Sequence, residues 1–349
     1  MSELRRALKL ARRLLPGYKP TITKLWIEVT DRCNSQCRTC NIWNQPHISN
    51  PLTPDEIYKT LSDPVFKDVD YIINSGGEPT VRSDLYAFLE AEHRALPTAT
   101  LQLSTNGVLW ARVITVVNML LQNHPNLKME VGTSLEGIGD AHDRERRIKG
   151  NFETVDQMLF RLKELQKTYG RDRLTIGFGT VVTDRTLTAI PELRRFADEH
   201  EVGFLIQWYN QSSFYSNEGG GNGSTEGSND EKERLARDQI KEADYTILSD
   251  LWCGYLNGVP PKYNCMALQS FCVIKCNGDI VPCLTFWNNK IGNVRNNTPS
   301  NILKRKGGIT CHNQCLNSWA TYWSFEADPI QYVRYFIRHP IKLVKKLCS

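Results

Sequence analysis

The sequence predicts an α/β protein: six strand–helix units laid into one parallel sheet, followed by a small cysteine-rich extension. Three observations predict it. Between residues 25 and 208, short aliphatic and β-branched runs alternate with longer segments of helical periodicity. Most of the eleven cysteines fall in two groups, at residues 33–40 and beyond residue 250, at spacings that suit metal binding more than a disulfide framework. A chain of 349 residues has room for one large domain and a small one.

Taken in order, residues 3–15 set Leu4, Ala7, Leu8, Ala11, Leu14 and Leu15 on one helical face with arginines and lysine around the other, and Pro16-Gly17 ends the helix. Strands are predicted at 25–30, 69–74, 100–104, 128–134, 173–182 and 203–208, with helices near 53–62, 83–95, 110–122, 152–168 and 188–200. Thr53-Pro54-Asp55-Glu56 is a clear helix start: a capping threonine, proline at the first position and acids in the first turn. Residues 211–232 hold five glycines among serines, asparagines and acids, a composition that builds no core and reads as a linker. Further on, Val273-Ile274 and Ile280-Val281 flank Asn277-Gly278-Asp279, a hairpin signal. The tail from Pro329 carries a second amphipathic basic pattern interrupted by Pro340. The expected organisation is a basic helix over 1–20, a core over 21–210, a linker over 211–235, an auxiliary domain over 236–325 and a basic tail over 326–349.

The net charge of +5 sits at the two ends. Residues 1–20 carry six basic groups against one acid, and residues 329–349 carry five and none, so the body between them is net acidic. A basic nucleic-acid groove across that body is excluded, and nucleic acid is not an expected partner. No apolar run approaches the ~20 residues of a membrane span. The basic N-terminus lacks the apolar block of a signal peptide. Cytoplasmic location is expected, with both ends docked on the protein. The sharper alternative is weak peripheral contact with an anionic membrane surface.

The chemistry is concentrated after the first strand, where Cys33, Cys37 and Cys40 are spaced C-x3-C-x2-C. Three thiolates this close can converge on a soft metal centre. A closed zinc site wants four protein ligands, so three suit a cluster with one iron left open, or zinc with a fourth ligand elsewhere. The next three strands also end in motifs. Ser75-Gly76-Gly77-Glu78-Pro79 follows the second strand, Ser104-Thr105-Asn106-Gly107 the third, and Ser134-Leu135-Glu136-Gly137 the fourth, before His142 to Phe152. Paired glycines let backbone approach a ligand closely. In open α/β barrels such strand ends collect the functional residues.

These motifs, in this order over roughly the first 210 residues, resemble the radical S-adenosylmethionine (SAM) enzymes. The resemblance implies a partial (β/α)6 TIM-like barrel. It implies that Cys33, Cys37 and Cys40 hold a 4Fe-4S cluster whose fourth iron is chelated by SAM. Gly76, Gly77 and Glu78 stand where that family contacts the SAM amino group. Ser134 and Arg146 are placed for its carboxylate, with Arg147 an alternative, since a guanidinium fork matches a carboxylate. The family's aromatic residue before the third cysteine is Thr39 here, and Ile42 or Trp43 is the candidate for that packing. Cys265, Gly278 and Cys283 resemble the opening of SPASM and twitch domains, and with Cys311 and Cys315 would hold a second, auxiliary 4Fe-4S cluster. Cys272 and Cys276 compete for that role, Cys253 and Cys348 are spare, and four thiolates would also suit zinc.

The expected activity is reductive cleavage of SAM to a 5′-deoxyadenosyl radical, which abstracts hydrogen from a peptide or a small molecule such as a sugar or antibiotic precursor. A reductant such as flavodoxin or ferredoxin is the expected partner. The alternative class is a non-catalytic iron–sulfur or zinc-binding scaffold, or an electron-transfer protein, whose SAM site has decayed.

Overall fold

A computed structural model of the chain describes residues 19–48, 50–208, 250–254, 259, 263–304, 318–328 and 330–331. The N-terminal helix, the Gly/Ser-rich linker, Cys311, Cys315, Cys348 and nearly all of the basic tail lie outside them.

Six strands run parallel and in sequence order: β1 (Lys24–Thr30), β2 (Tyr71–Gly76), β3 (Thr100–Thr105), β4 (Lys128–Ser134), β5 (Leu174–Val182) and β6 (Gly203–Trp208). The connecting helices are α1 (Pro54–Leu61), α2 (Leu85–Ala95), α3 (Trp110–Asn123), α4 (Asp140–Arg146), α5 (Asn151–Tyr169) and α6 (Ile190–His200). β6 is a free edge, so the sheet is open, as a partial (β/α)6 barrel is. One face carries the main core: Leu25, Ile27 and Val29 of β1, Leu101 and Leu103 of β3, and Met129 and Val131 of β4 pack against the apolar stripes of the helices. Period-two alternation then turns the other residues of each strand to the inner face.

The start of α1 forms as its sequence dictates. Thr53 Oγ1 accepts from Glu56 N at 3.2 Å, and Glu56 Oε2 accepts from Thr53 N at 2.9 Å, a reciprocal cap with proline at the first turn. Glu56 also accepts from Arg295 Nε at 2.6 Å, which draws its carboxyl down to about 2 and ties the extension to the barrel.

Two features depart from the sequence reading. Helix α4 overlaps the start of the polar run His142 to Phe152, where no helix was expected. Only His142 and Glu145 of its seven residues are buried, too few to set a period, and tertiary contacts hold it. The extension, expected as a separate small domain, instead continues the sheet. Strand β7 (Phe271–Ile274) pairs parallel with Lys24–Ile27 of β1, and β8 (Asp279–Val281) and β9 (Gly292–Asn293) follow antiparallel. An open barrel leaves β1 with unpaired backbone groups on one side, and β7 satisfies them. The turn between β7 and β8 is the expected hairpin, with Gly278 at φ +86°. Helices α7 (Pro299–Lys304) and α8 (Ser318–Ala327) complete the described extension. Among the described residues no helix is long and apolar enough to cross a membrane.

Candidate active site

The cysteine loop leaves the C-terminal end of β1 and is held from three sides. The C-terminal end of α4 offers backbone acceptors that lack intrahelical partners. Arg38 N donates to Glu145 O at 3.0 Å, and Ser35 Oγ donates to Arg146 O at 3.0 Å while sharing a hydrogen bond with Cys37 Sγ at 2.9 Å. From β2, Gly77 N donates to Thr30 O at 2.7 Å and Glu78 N to Arg32 O at 2.8 Å. A Cβ on Gly76 or Gly77 would collide with those same carbonyls, and Gly76 sits at φ +114°, so the two glycines are required for backbone to meet backbone here. From β3, Asn106 Nδ2 donates to Asn34 Oδ1 at 2.7 Å, between Cys33 and Cys37.

Within the loop, Cys40 N donates to Cys37 O at 3.3 Å and Trp43 Nε1 to Cys40 O at 2.9 Å. Ile42 is buried against Cys33 and Cys40 together with Trp26, Val273 and Leu284. Ile42 thus supplies the apolar packing beside the cysteines, and Trp43 braces the turn. Burial, with smaller contributions from the neighbouring cysteines, pushes the Cys33 thiol up to about 12 and Cys40 to about 11. Stable thiolates therefore need a positive centre among them.

Arg146 faces that pocket. Its guanidinium is buried, which alone would lower its pKa, yet the charges of Cys37, Glu136, Cys33 and Cys40 hold it above the ordinary value. Nη1 lies 3.5 Å from Glu136 Oε1, and Nε is buried with no partner among the described residues. Arg147, the alternative, is exposed in a left-handed cap at φ +56°. Glu136 is fixed in turn by Val181 N at 2.9 Å and Thr180 Oγ1 at 3.2 Å. Its backbone N–H donates to His142 Nδ1 at 3.1 Å, leaving His142 Nε2–H for Asn151 Oδ1. Burial and Arg146 push His142 down to about 4, so it is the neutral tautomer that packs here. Ser134 ends β4, half-buried, beside this group.

Glu78 is 1% exposed and held by its neighbours: Oε1 accepts from Thr80 N at 3.0 Å, Thr80 Oγ1 at 2.6 Å and Thr105 Oγ1 at 2.8 Å, and Oε2 from Asn106 N at 2.7 Å. Three donors crowd Oε1, whereas Oε2 has one and keeps capacity for another. Glu78 here joins the ends of β2 and β3, and Asn106 carries the connection on to the cysteine loop. Sequence reasoning singled out the Thr105-Asn106-Gly107 motif but assigned it no role, and it missed Asn34. The one available signal was the position of Asn106 at a strand end.

Of the second cysteine group, Cys265 and Cys283 come together in one apolar cluster with Met266, Phe271 and Trp323. Cys272 and Cys276 are drawn elsewhere. Cys272 is fully buried in the main core, and Cys276 N donates to Glu28 Oε2 at 2.9 Å, with its thiol pushed up by burial and by the charges of Glu28 and Asp31.

Residues 27–197 match the model of the radical SAM superfamily, and residues 265–314 match SPASM, an iron–sulfur cluster-binding domain. The chain belongs to the radical SAM superfamily and carries a C-terminal SPASM domain. It is 31% identical over 187 residues to the pre-heme d1 synthase of Dinoroseobacter shibae, covering 53% of this chain and 42% of that protein. It is 32% identical over 204 residues to the GTP 3′,8-cyclase of Nitrobacter hamburgensis, covering 57% and 52%. The chain thus spans about half or less of the length of these curated relatives. In fold it resembles SuiB of Streptococcus suis bound to S-adenosylmethionine, with TM-score 0.59, 17% identity and coverage of 85% of this chain and 68% of that one. It also resembles anSMEcpe with bound AdoMet, with TM-score 0.55, 18% identity and coverage of 82% and 80%.

The cofactors of these domains are a 4Fe-4S cluster with SAM in the first and auxiliary iron–sulfur in the second. The residues present fit the first group. Among the described residues no three ligand-type side chains converge on a single metal ion. A cluster asks for something looser, one thiolate per iron around a shared pocket. The partnerless Nε of Arg146 is a buried donor awaiting an acceptor such as a carboxylate.

Proposed function

We propose that this chain is a radical SAM enzyme that removes hydrogen from an unactivated carbon of a peptide or small polar substrate. The observation that carries the reading is the Arg146 guanidinium, close enough to feel the charges of Cys33, Cys37 and Cys40 and with an Nε–H that has no partner among the described residues. When bound, the reduced cluster and SAM supply the one-electron chemistry that generates a 5′-deoxyadenosyl radical. Cys33, Cys37 and Cys40 hold the cluster. Arg146 orients the SAM carboxylate, Ser134 lies beside it, and Gly76 and Gly77 bring the β2 backbone close to the SAM amino group while Glu78 fixes their geometry. Cys265 and Cys283, with Cys311 and Cys315, would hold the auxiliary cluster, which would supply an electron acceptor for the substrate radical or a ligand site for one of the substrate's groups. The boundaries in this reading are those of the sequence, 21–210 for the core and 236–325 for the auxiliary part. A flavodoxin- or ferredoxin-type protein is the reductant.

Peptide substrates are supported by the fold shared with SuiB, one structure of which holds the precursor peptide SuiA. Small molecules are supported by the curated relatives, a heme-precursor synthase and GTP cyclases. The test of the class is anaerobic reconstitution with iron and sulfide, followed by dithionite and SAM. Formation of 5′-deoxyadenosine and methionine is expected. Protein that holds iron but leaves SAM intact would make it a scaffold or electron-transfer protein instead.

A further inference from the structure

Below the strand ends, the inner face of the sheet has an uneven lining. Ser104, Gly132, Gly177 and Gly203 are paired in one row across β3 to β6, and nothing larger than a serine projects from it. One row deeper, Ile73, Gln102, Glu130 and Thr175 are paired across β2 to β5. On the β1 side the same row continues with Trp26 and Val273, so the wall there is apolar. On the β3–β4 side it is polar and pre-arranged. Gln102 Nε2 donates to Ser104 Oγ at 3.0 Å, in space that a Cβ on Gly132 would occupy. Tyr71 OH donates to Glu130 Oε2 at 2.8 Å across β3.

Glu130 is the unusual member. A carboxylate drawn out of bulk water costs free energy unless it is paired, and its one protein donor is a neutral phenol. Burial pushes its pKa up, with only the Tyr71 hydrogen bond opposing. No cation among the described residues pairs with it. Lys24, which lies over the Tyr71 ring, is committed to Asp70 at 3.0 Å and Glu326 at 3.6 Å. Among the described residues, therefore, the floor presents a carboxylate with no cation against it. Glu130 lies four residues before Ser134 on the same face, ~13 Å deeper along the strand. That is too far to touch a ligand held at the strand ends, and within reach of a second molecule seated beneath it.

We propose that Glu130, braced by Tyr71 and flanked by Gln102, selects a substrate bearing a cationic amino or guanidino group. This deepens the proposed function and rests on it, since it takes the space beneath the cysteine pocket as the substrate's seat. The charged group sits on Glu130 Oε1, and the small-residue row above it accommodates the part of the substrate presented to the reacting end.

The test uses the reconstituted full chain and three matched probes, n-butylammonium, n-butanol and butyrate, with binding read by ligand-observed NMR. Wild-type protein is expected to bind butylammonium at least tenfold more tightly than either of the others. Glu130→Gln is expected to lose that preference, Tyr71→Phe to weaken it, and Glu130→Lys to turn it toward butyrate. Equal binding of butylammonium by wild type and Glu130→Gln, or no preference for it in the wild type, would overturn the inference. SAM cleavage by the same wild-type preparation separates the two failures. Cleavage without ammonium preference sinks the inference alone, whereas absence of cleavage sinks the proposed function whatever the probes do.

Discussion

The two cysteine groups are built on opposite principles. Cys33, Cys37 and Cys40 sit in a loop whose backbone is bonded to β2 and to the last turn of α4, with a side-chain link from β3, and a buried arginine faces it. Cys265 and Cys283 sit in an apolar cluster of Met266, Phe271 and Trp323, next to a strand that merely extends the sheet. The first arrangement fixes position and charge together, as a site must when it orients a small ligand as well as a metal. The second isolates its contents from water. Under the proposed function, the contrast separates a region that recognises a ligand from one that holds iron.

The largest expected effect breaks the first arrangement at its charge. Arg146→Gln removes about 3 kcal/mol of charge-assisted hydrogen bonding to a carboxylate, so SAM binding, followed by equilibrium dialysis, should weaken ~100-fold. Iron content, measured alongside, should stay at the wild-type level. Arg146→Lys should recover only part of the affinity, because an ammonium lacks the planar fork. Full affinity in Arg146→Gln would remove Arg146 from the SAM site, and full affinity in Arg146→Lys would show that the planar fork is not needed.

Next comes the polar network. Asn106→Ala deletes the bond to Asn34 and leaves that loop unbraced, at a cost of about 1–3 kcal/mol in stability. Slower or incomplete cluster reconstitution should accompany the lower melting temperature. A melting curve and iron titration identical to wild type would show that the network is incidental.

Cysteine substitutions sharpen the second region. Cys272→Ala and Cys276→Ser should each leave the iron content unchanged, since one thiol is in the aliphatic core and the other is held against Glu28. Loss of iron from either variant would move the auxiliary ligand set onto the hairpin.

A separate effect lies on the helix side of the sheet, away from both sites. Glu92 of α2 accepts from Asn74 Nδ2 at 2.8 Å, is fully buried, and burial pushes its carboxyl up from 4.5 to about 8. The folded state then binds a proton that the unfolded state has released. Stability should fall as pH rises from about 4.5 to about 8 and flatten above it. Glu92→Gln should abolish this slope in urea melts taken across that range. An unchanged slope would show that Glu92 ionises normally.

The six strands and five of the helices were legible because their periods are long and unbroken. The predicted strand at 128–134 coincides with β4 and the one at 203–208 with β6. The cysteine loop and Arg146 were legible because a motif fixes their place relative to strand ends. What was not legible depends on partners distant in sequence. Helix α4 has only two buried side chains and earns its place by accepting bonds from a loop a hundred residues earlier. The hydrogen bonds from Thr105 and Asn106 to Glu78 join strand ends that are far apart in sequence. The attachment of β7 to β1 joins residues nearly 250 apart, and nothing local in Phe271–Ile274 distinguishes a separate hairpin from an added strand.

The division of labour between the two cysteine groups has one direct test: two variant proteins, each reconstituted anaerobically and assayed for iron and for 5′-deoxyadenosine. With Cys33, Cys37 and Cys40 replaced by alanine, about four irons should remain and no 5′-deoxyadenosine should form. With Cys265 and Cys283 replaced, iron should also drop by about four, while 5′-deoxyadenosine still accumulates. SAM cleavage by the first variant, or its loss in the second with the first cluster intact, would contradict the account.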